Sequence, residues 1–414
     1  MKYLSKNEVF NQKTKRFFYI WNYLEWGGAQ VYFFGLMKEA KNFGEVVAVM
    51  PDGSNEQLLK FLNNIEISCR FFAGHTDLKP ASTVKRKIQR HWNKLFSEYV
   101  LIKFLAKLNF RNSVTHIELA PWQSFLVIFW LCRRTKVFIT IHNSVLPIPK
   151  MRHFVWQIKF RLLACNKNFH LFTANHDAKE SLRSLVPDEF FKRITVTSAN
   201  INPSEVNEAL NVTINPTELK KKYALPLNKF LIFCVGQFID RKGRWVFLEA
   251  AKKLIEKDSD IAFVWISNSK PTAADLEKAE EFGLGENFIF ITSDRIGSEH
   301  IDLFKLLRTA DVFALPSFLE GLPISLLEAM ALGIPCISTA VNGIPEAVRH
   351  LETGYLIKPG SSDELAEAIR HLKDNQILRE SLSKNGRDFV LEKFNEKVVA
   401  KIAVERYLES LSKN

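Results

Sequence analysis

Two carboxylates, Glu320 and Glu328, stand eight positions apart in the stretch PSFLEGLPISLLEAMALGIPCISTAVNGIPE, residues 316–346. They flank a strand-to-helix turn. Pro323 is expected at the first helical position, which tolerates a missing N–H. Leu326, Leu327, Ala329 and Met330 are spaced to face a core. Gly333 then stops the helix and Pro335 prevents it from resuming. Glu320 falls at the helix mouth and Glu328 about two turns further on, given the helical rise per residue. Between them the amides of Gly321 and Leu322, aided by the helix dipole, form a site for an anion. Carboxylates beside such a mouth suit a phosphorylated sugar, with amides for the phosphate and carboxylates for the hydroxyls.

These residues need elements to hold them. RFFYIWNYL (16–24) reads as a buried strand, Trp26-Gly27-Gly28-Ala29-Gln30 as a tight turn, and VYFFGLMKEAKNFG as the following helix. EVVAVMPDG, NSVTHIEL (112–119) and KVFITIHNS (136–144) are further strands, with PWQSFLVIFWLCRR a helix between the last two. A second series starts near residue 229: KFLIFCVGQF is a strand, Asp240-Arg241-Lys242-Gly243 a turn, and RWVFLEAAKKLIEK a helix. IAFVWISN, NFIFITS, DVFALPS and PCISTA are four more short apolar strands. Strands alternating with helices in both halves predict two doubly wound α/β domains. Asn202 to Asn228, rich in Asn and Pro, reads as the link between them.

The chain has 414 residues and a net charge of +12, with charge unevenly shared. Residues 1–200 hold 30 of the 57 Lys and Arg but only 14 of the 45 Asp and Glu, so they carry +16 and the remainder −4. A basic half implies a negative partner: anionic lipid, a phosphorylated acceptor or nucleic acid. Residues 79–111 hold nine Lys or Arg and one acid, Glu98. Val84, Ile88, Trp92, Leu95, Phe96, Tyr99 and Ile102 recur there at helical spacing. That pattern fits either an anionic membrane surface or a core-packed helix with a basic solvent face. Helix-turn-helix, zinc and RNA-binding signatures are missing, which disfavours nucleic acid. The five cysteines form no close pairs, and Cys132, Cys234 and Cys336 lie in apolar surroundings, as expected of buried thiols in a reducing compartment. No signal peptide or spanning segment is legible, so a cytoplasmic location is expected.

Residues 316–335 match, nearly position for position, the pattern PS-x-x-EG-x-x-x-x-x-LEAMA-x-G-x-P, and the chain thereby resembles the family-4 glycosyltransferases of GT-B fold, retaining enzymes of glycosyltransferase group 1. The resemblance covers residues 16 to about 390. It implies two Rossmann-like domains facing a central cleft: an acceptor domain over 16–202, a nucleotide-sugar domain over 203–385, and a closing C-terminal helix over 386–414. It implies transfer of a sugar from a nucleotide-sugar to a glycan or lipid-linked acceptor, in cell-envelope polysaccharide or lipopolysaccharide synthesis, with peripheral attachment to the inner membrane face.

By the same resemblance Glu320 faces the sugar and Glu328 binds the ribose hydroxyls, a role suited to a carboxylate that accepts two hydrogen bonds from a diol. Lys242 contacts the pyrophosphate as a point charge. Gly27 and Gly28 let backbone approach the donor. His142, at the carboxyl end of its strand, contributes to the catalytic floor, with Asn143 in place of the usual acidic neighbour. The family has Gly-Arg five residues before its lysine turn, and here the pair is Gly236-Gln237. Gln237 donates a hydrogen bond without charge, leaving Arg241 or Arg244 to compensate. No residues show metal-ligand spacing, and neither a metal nor another cofactor is expected. The competing readings are a sugar-nucleotide enzyme that is not a transferase, a degenerate transferase, and, more distantly, a basic nucleic-acid-binding protein.

Overall fold

The structure, a computed structural model, describes residues 14–24, 28–74, 84–118, 120–297 and 299–412. The chain divides into two compact units, one of residues 1–174, 179–197 and 399–414, the other of 175–178 and 198–398. In the first, strands β1 (Lys15–Ile20), β2 (Gly44–Pro51), β3 (Ser68–Phe72), β4 (Ser113–Ile117), β5 (Lys136–Ile141), β6 (Phe169–Thr173) and β7 (Thr195–Val196) form one parallel sheet, ordered β3-β2-β1-β4-β5-β6-β7. A parallel sheet covered on both faces needs strands that are apolar almost throughout, and every residue of β5 is buried. Alternation along β1 sends Phe18 and Ile20 into one core and Phe17 and Tyr19 into another.

The second core is completed from far along the chain. The stretch over 386–414, expected to be one closing helix, is the end of one helix (Gln376–Lys393) and the whole of another (Glu396–Ser412). The units divide within the latter, after residue 398, and between 197 and 198 rather than at 202. Val399, Ala400, Ala403, Val404 and Tyr407 pack on the first sheet. The Tyr407 ring lies among Phe17, Phe138 and Phe172. Its hydroxyl meets Nδ1 of His116 at 2.6 Å, and the other ring nitrogen meets Thr140 Oγ1 at 2.9 Å. Burial, reinforced by nearby His142, pushes the His116 imidazole well below its usual range, so the ring is neutral.

The basic stretch forms the helix Val84–Leu105, and residues 79–83 lie outside the described residues. Its buried face is Ser97, Glu98, Leu101 and Leu105, with Leu95 and Ile102 half-buried. Ile88, Trp92, Phe96 and Tyr99, each 56–67% exposed, face solvent instead. A second helix, Lys150–Ala164, does the same with Met151, Phe154, Val155, Ile158 and Leu162. Lys94 of the first helix donates to the Trp122 carbonyl, and Trp122 stacks on Trp156 of the second, so both helices pack around one indole pair.

In the second unit β8 (Phe230–Val235), β9 (Ile261–Ser267), β10 (Phe288–Thr292), β11 (Val312–Leu315), β12 (Cys336–Thr339) and β13 (Tyr355–Ile357) are ordered β10-β9-β8-β11-β12-β13, again parallel. The stretch over 202–228, expected to be a linker, carries helices Pro203–Asn211 and Pro216–Lys222, and Val206 and Ala209 are buried in this unit's core. Each helix starts with an Asn whose side chain accepts from the first-turn amides and a Pro at the first helical position, two Asn-Pro start signals that mark helices rather than a link.

Truncating Tyr407 removes both a core aromatic and one of the two hydrogen-bond partners of His116. Tyr407→Ala is expected to lower the unfolding free energy by about 3–5 kcal/mol, read as a fall in the urea midpoint. Tyr407→Phe should retain most of the stability, because only the hydroxyl is lost.

Candidate active site

In both sheets the winding direction reverses once, between β1 and β4 and between β8 and β11. Ligands of such sheets bind beyond the carboxyl ends of the strands at this point. The segments leaving β8 and β11 carry Lys242 and Glu320, and the structure joins them: Nζ of Lys242 lies 2.5 Å from Oε1 of Glu320. The Glu320 side chain is only 6% exposed and that of Lys242 12%, so the pair is held largely away from water.

The backbone around the pair is tightly constrained. Gly243 closes the 3₁₀ turn Asp240–Lys242 with φ of +76°, and a Cβ there would stand 1.9 Å from the Pro316 carbonyl oxygen. Only glycine meets both demands. The Phe318 amide donates to the Arg241 carbonyl at 2.8 Å, tying the two segments together. Ser317 Oγ donates to Glu320 Oε1 at 2.8 Å, and the Glu320 amide donates to Asn342 Oδ1 at 3.3 Å. Pro323 precedes the helix Ile324–Ala331 as its N-cap instead of opening it as the first helical residue, since its ψ of 123° is extended. Among the described residues the Gly321 and Leu322 amides have no protein acceptor, and both residues are buried beside this helix start.

The two arginines proposed to compensate for Gln237 divide sharply. Arg244 is committed to structure: it bonds Asp240 at 2.9 Å, Asp275 at 2.7 Å and the Phe238 carbonyl at 2.8 Å, and lies over the Trp245 ring. Arg241 instead sits with the pair, 3.4 Å from Glu320 Oε2 and donating to the Leu319 carbonyl at 3.0 Å. Gln237 is exposed, and the contacts of the pair do not include it.

Glu328 lies within the helix Ile324–Ala331 and is buried. It is not solitary. His300, the first residue of the helix His300–Leu307, places Nε2 3.1 Å from Glu328 Oε1 and Nδ1 3.1 Å from Glu205 Oε2. Burial opposes charge on this ring, but the two carboxylates outweigh it and raise its pKa to about 10. Neither His300 nor Glu205 stands out in the sequence, where histidines are scattered and Glu205 falls in the supposed linker.

In the first unit His142 follows β5 immediately, and its Nε2 lies 3.2 Å from Oε2 of Glu118, which follows β4. The Tyr32 ring meets His142 edge-on at 5.4 Å. The sequence reading missed Glu118, although an acid directly after a buried strand next to the reversal point is the available signal. Asn143 is exposed. Gly28 opens the helix Gly28–Ala40, and Gly27 lies outside the described residues. Among the described residues no three His, Cys, Asp or Glu are grouped to hold a metal ion. Cys132, Cys234 and Cys336 are buried and all five thiols are free.

A folded-state pKa of about 10 for His300, above the ordinary histidine value, means that the folded protein holds this proton more tightly than the unfolded chain. The stabilisation is fully present below about pH 6.5 and is lost as the pH rises through about 10. The stability difference between wild type and His300→Gln should therefore shrink across that window, as measured by urea unfolding at pH 6 and at pH 10.5.

The chain is similar to several known proteins. Residues 215–389 match the family model described as glycosyl transferases group 1. The chain is 29% identical over 217 residues to the UDP-Gal:alpha-D-GlcNAc-diphosphoundecaprenol alpha-1,3-galactosyltransferase of Escherichia coli, covering 49% of this chain and 54% of that one. It is 26% identical over 222 residues to the capsular polysaccharide biosynthesis glycosyltransferase CapM of Staphylococcus aureus, covering 53% and 57%. The chain thus spans about half the length of these curated relatives. A crystal structure of a glycosyltransferase from Rickettsia africae aligns over 97% of this chain and 100% of its own, with a TM-score of 0.74 at 18% identity, a likeness of fold. Residues 215–389 thus resemble the glycosyl transferases group 1 family, and the two parallel sheets have the GT-B fold.

Proposed function

We propose that this protein is a retaining glycosyltransferase that moves a sugar from a uridine diphosphate donor to a glycan on a lipid carrier, in cell-envelope polysaccharide synthesis. The observation that carries the reading is the Lys242–Glu320 pair at the reversal point of the second sheet, beside the amides of Gly321 and Leu322. Lys242, with Arg241 at the same carboxylate, supplies positive charge for a leaving diphosphate. Glu320 holds the ammonium in place and offers its oxygens to the sugar hydroxyls. Glu328 takes the ribose. The bond from the anomeric carbon to the diphosphate oxygen breaks, the acceptor oxygen bonds on the same face, and its proton passes to the departing phosphate. Two cations already at the pair make a divalent ion unnecessary. His142, oriented by Glu118, belongs to the catalytic floor. A UDP donor and a diphosphoundecaprenol-linked acceptor are what the name of the Escherichia coli relative states for that protein.

Peripheral attachment to an anionic membrane is part of this proposal. The helices Val84–Leu105 and Lys150–Ala164 turn aromatic and aliphatic side chains to solvent. Their acids amount to one, Glu98, and it is buried. Apolar side chains amid lysine and arginine suit the boundary between acyl chains and acidic headgroups. Among the described residues no helix is long and apolar enough to cross a membrane.

Two experiments test the proposal. In a transfer assay containing EDTA the wild type should be active. Lys242→Met should lose roughly 10²–10³-fold in kcat, and Glu320→Ala should be inactive while still folded by circular dichroism; an equally active Glu320→Ala would sink the reading. The protein should also co-sediment with vesicles containing phosphatidylglycerol and not with pure phosphatidylcholine. Replacing Lys85, Lys150 and Arg152 with Ser should cost about 1 kcal/mol per residue, a loss of binding of over a hundredfold.

A further inference from the structure

Glu328 is held by a chain of polar contacts that crosses three helices of the second unit. Asn202 caps the helix Pro203–Asn211 and donates from Nδ2 to Glu205 Oε1 at 3.0 Å. Glu205 Oε2 meets His300 Nδ1, and His300 Nε2 meets Glu328 Oε1, each at 3.1 Å. A neutral imidazole has one N–H and one lone pair, so it would turn a lone pair toward one of these carboxylates. Only the imidazolium donates to both. The ring also packs at a tilt on Phe304, 4.5 Å between centroids, which limits its rotation.

This arrangement distinguishes the two oxygens of Glu328. Oε1 is engaged by a fixed cation, itself anchored at its far side by Glu205. Rotation of the carboxylate would break that contact, so Oε2 keeps a single direction. A carboxylate that binds a diol must present its acceptors in a defined plane, and in a solitary side chain that order is lost again on each release of ligand. The surrounding chain therefore does in advance what a ligand would otherwise have to do.

We propose that His300 is a positioning residue for nucleotide binding: tethered by Glu205, it orients Glu328 so that the carboxylate discriminates ribose hydroxyls. The inference rests on the assignment of Glu328 to the ribose. It predicts that losing His300 costs affinity only where the ligand has ribose hydroxyls to recognise.

The test uses two probes, UDP and its 2′,3′-dideoxy analogue, with dissociation constants measured by calorimetry on the full chain. Should the protein bind another nucleoside diphosphate and not UDP, that nucleotide and its dideoxy analogue replace them. The wild type should prefer the ribo form by roughly 10–100-fold, from one or two hydrogen bonds to a charged acceptor. Glu328→Ala should bring the ratio to about one. His300→Ala, or His300→Gln should the first fold poorly, should reduce the ratio to within about threefold while binding of the dideoxy probe is unchanged. Glu205→Gln should fall between the wild type and the His300 variants. A His300 variant that keeps the full ratio while Glu328→Ala loses it overturns the proposal. If Glu328→Ala also keeps the ratio, the ribose assignment itself is wrong. A loss of general stability alone would lower affinity for both probes equally, so the ratio separates positioning from folding.

Discussion

A half-buried ammonium and a buried carboxylate 2.5 Å apart set the terms for the second unit. Charges withdrawn from water persist only if each finds its partner and the remaining lone pairs are occupied. Around Glu320 that requirement is met by Lys242, Ser317 and Arg241. Meeting it forces the turn after β8 against the segment after β11, close enough that the Pro316 carbonyl excludes any side chain at 243. The glycine, the serine and the proline of this region thus answer to one electrostatic constraint.

The two glutamates of the signature obey the same rule with different cations. Glu320 takes a lysine, a point charge on a four-carbon stem. Glu328 takes a histidine clamped by a second carboxylate and by a ring contact, an arrangement with less freedom. In the first unit the His142–Glu118 pair repeats the theme of a polar residue at a strand end held by an acid from the neighbouring strand end.

The first unit adds a constraint of another kind. Its sheet is covered on both sides, with the C-terminal helix completing one core through Tyr407. Once those faces are filled, the apolar stripes of the helices Val84–Leu105 and Lys150–Ala164 have no core left to enter. Large contiguous apolar surface rimmed by charge marks an interaction face more often than an accident of packing.

How far the sequence could be read follows from the range of the forces involved. Strand and helix order and the Gly243 turn were legible because side-chain period and turn chemistry are local, and Glu320, Glu328, Lys242 and His142 stood out as candidates through the resemblance of their motifs. The Asn-Pro starts at 202 and 215 were equally local and were misread as a linker because the segment between them is polar. Periodicity identified the stripe on Val84–Leu105 but not its direction, since an amphipathic pattern has the same period whether it faces a core or solvent. The pairing of Glu320 with Lys242, of His142 with Glu118, and of His300 with both Glu328 and Glu205 joins residues separated by up to 95 positions. The sequence by itself determined the α/β class and which side chains are available for chemistry. Tertiary structure alone decided which charges meet, because burial makes the partner of each charge a property of the whole packed unit rather than of its neighbours in the chain.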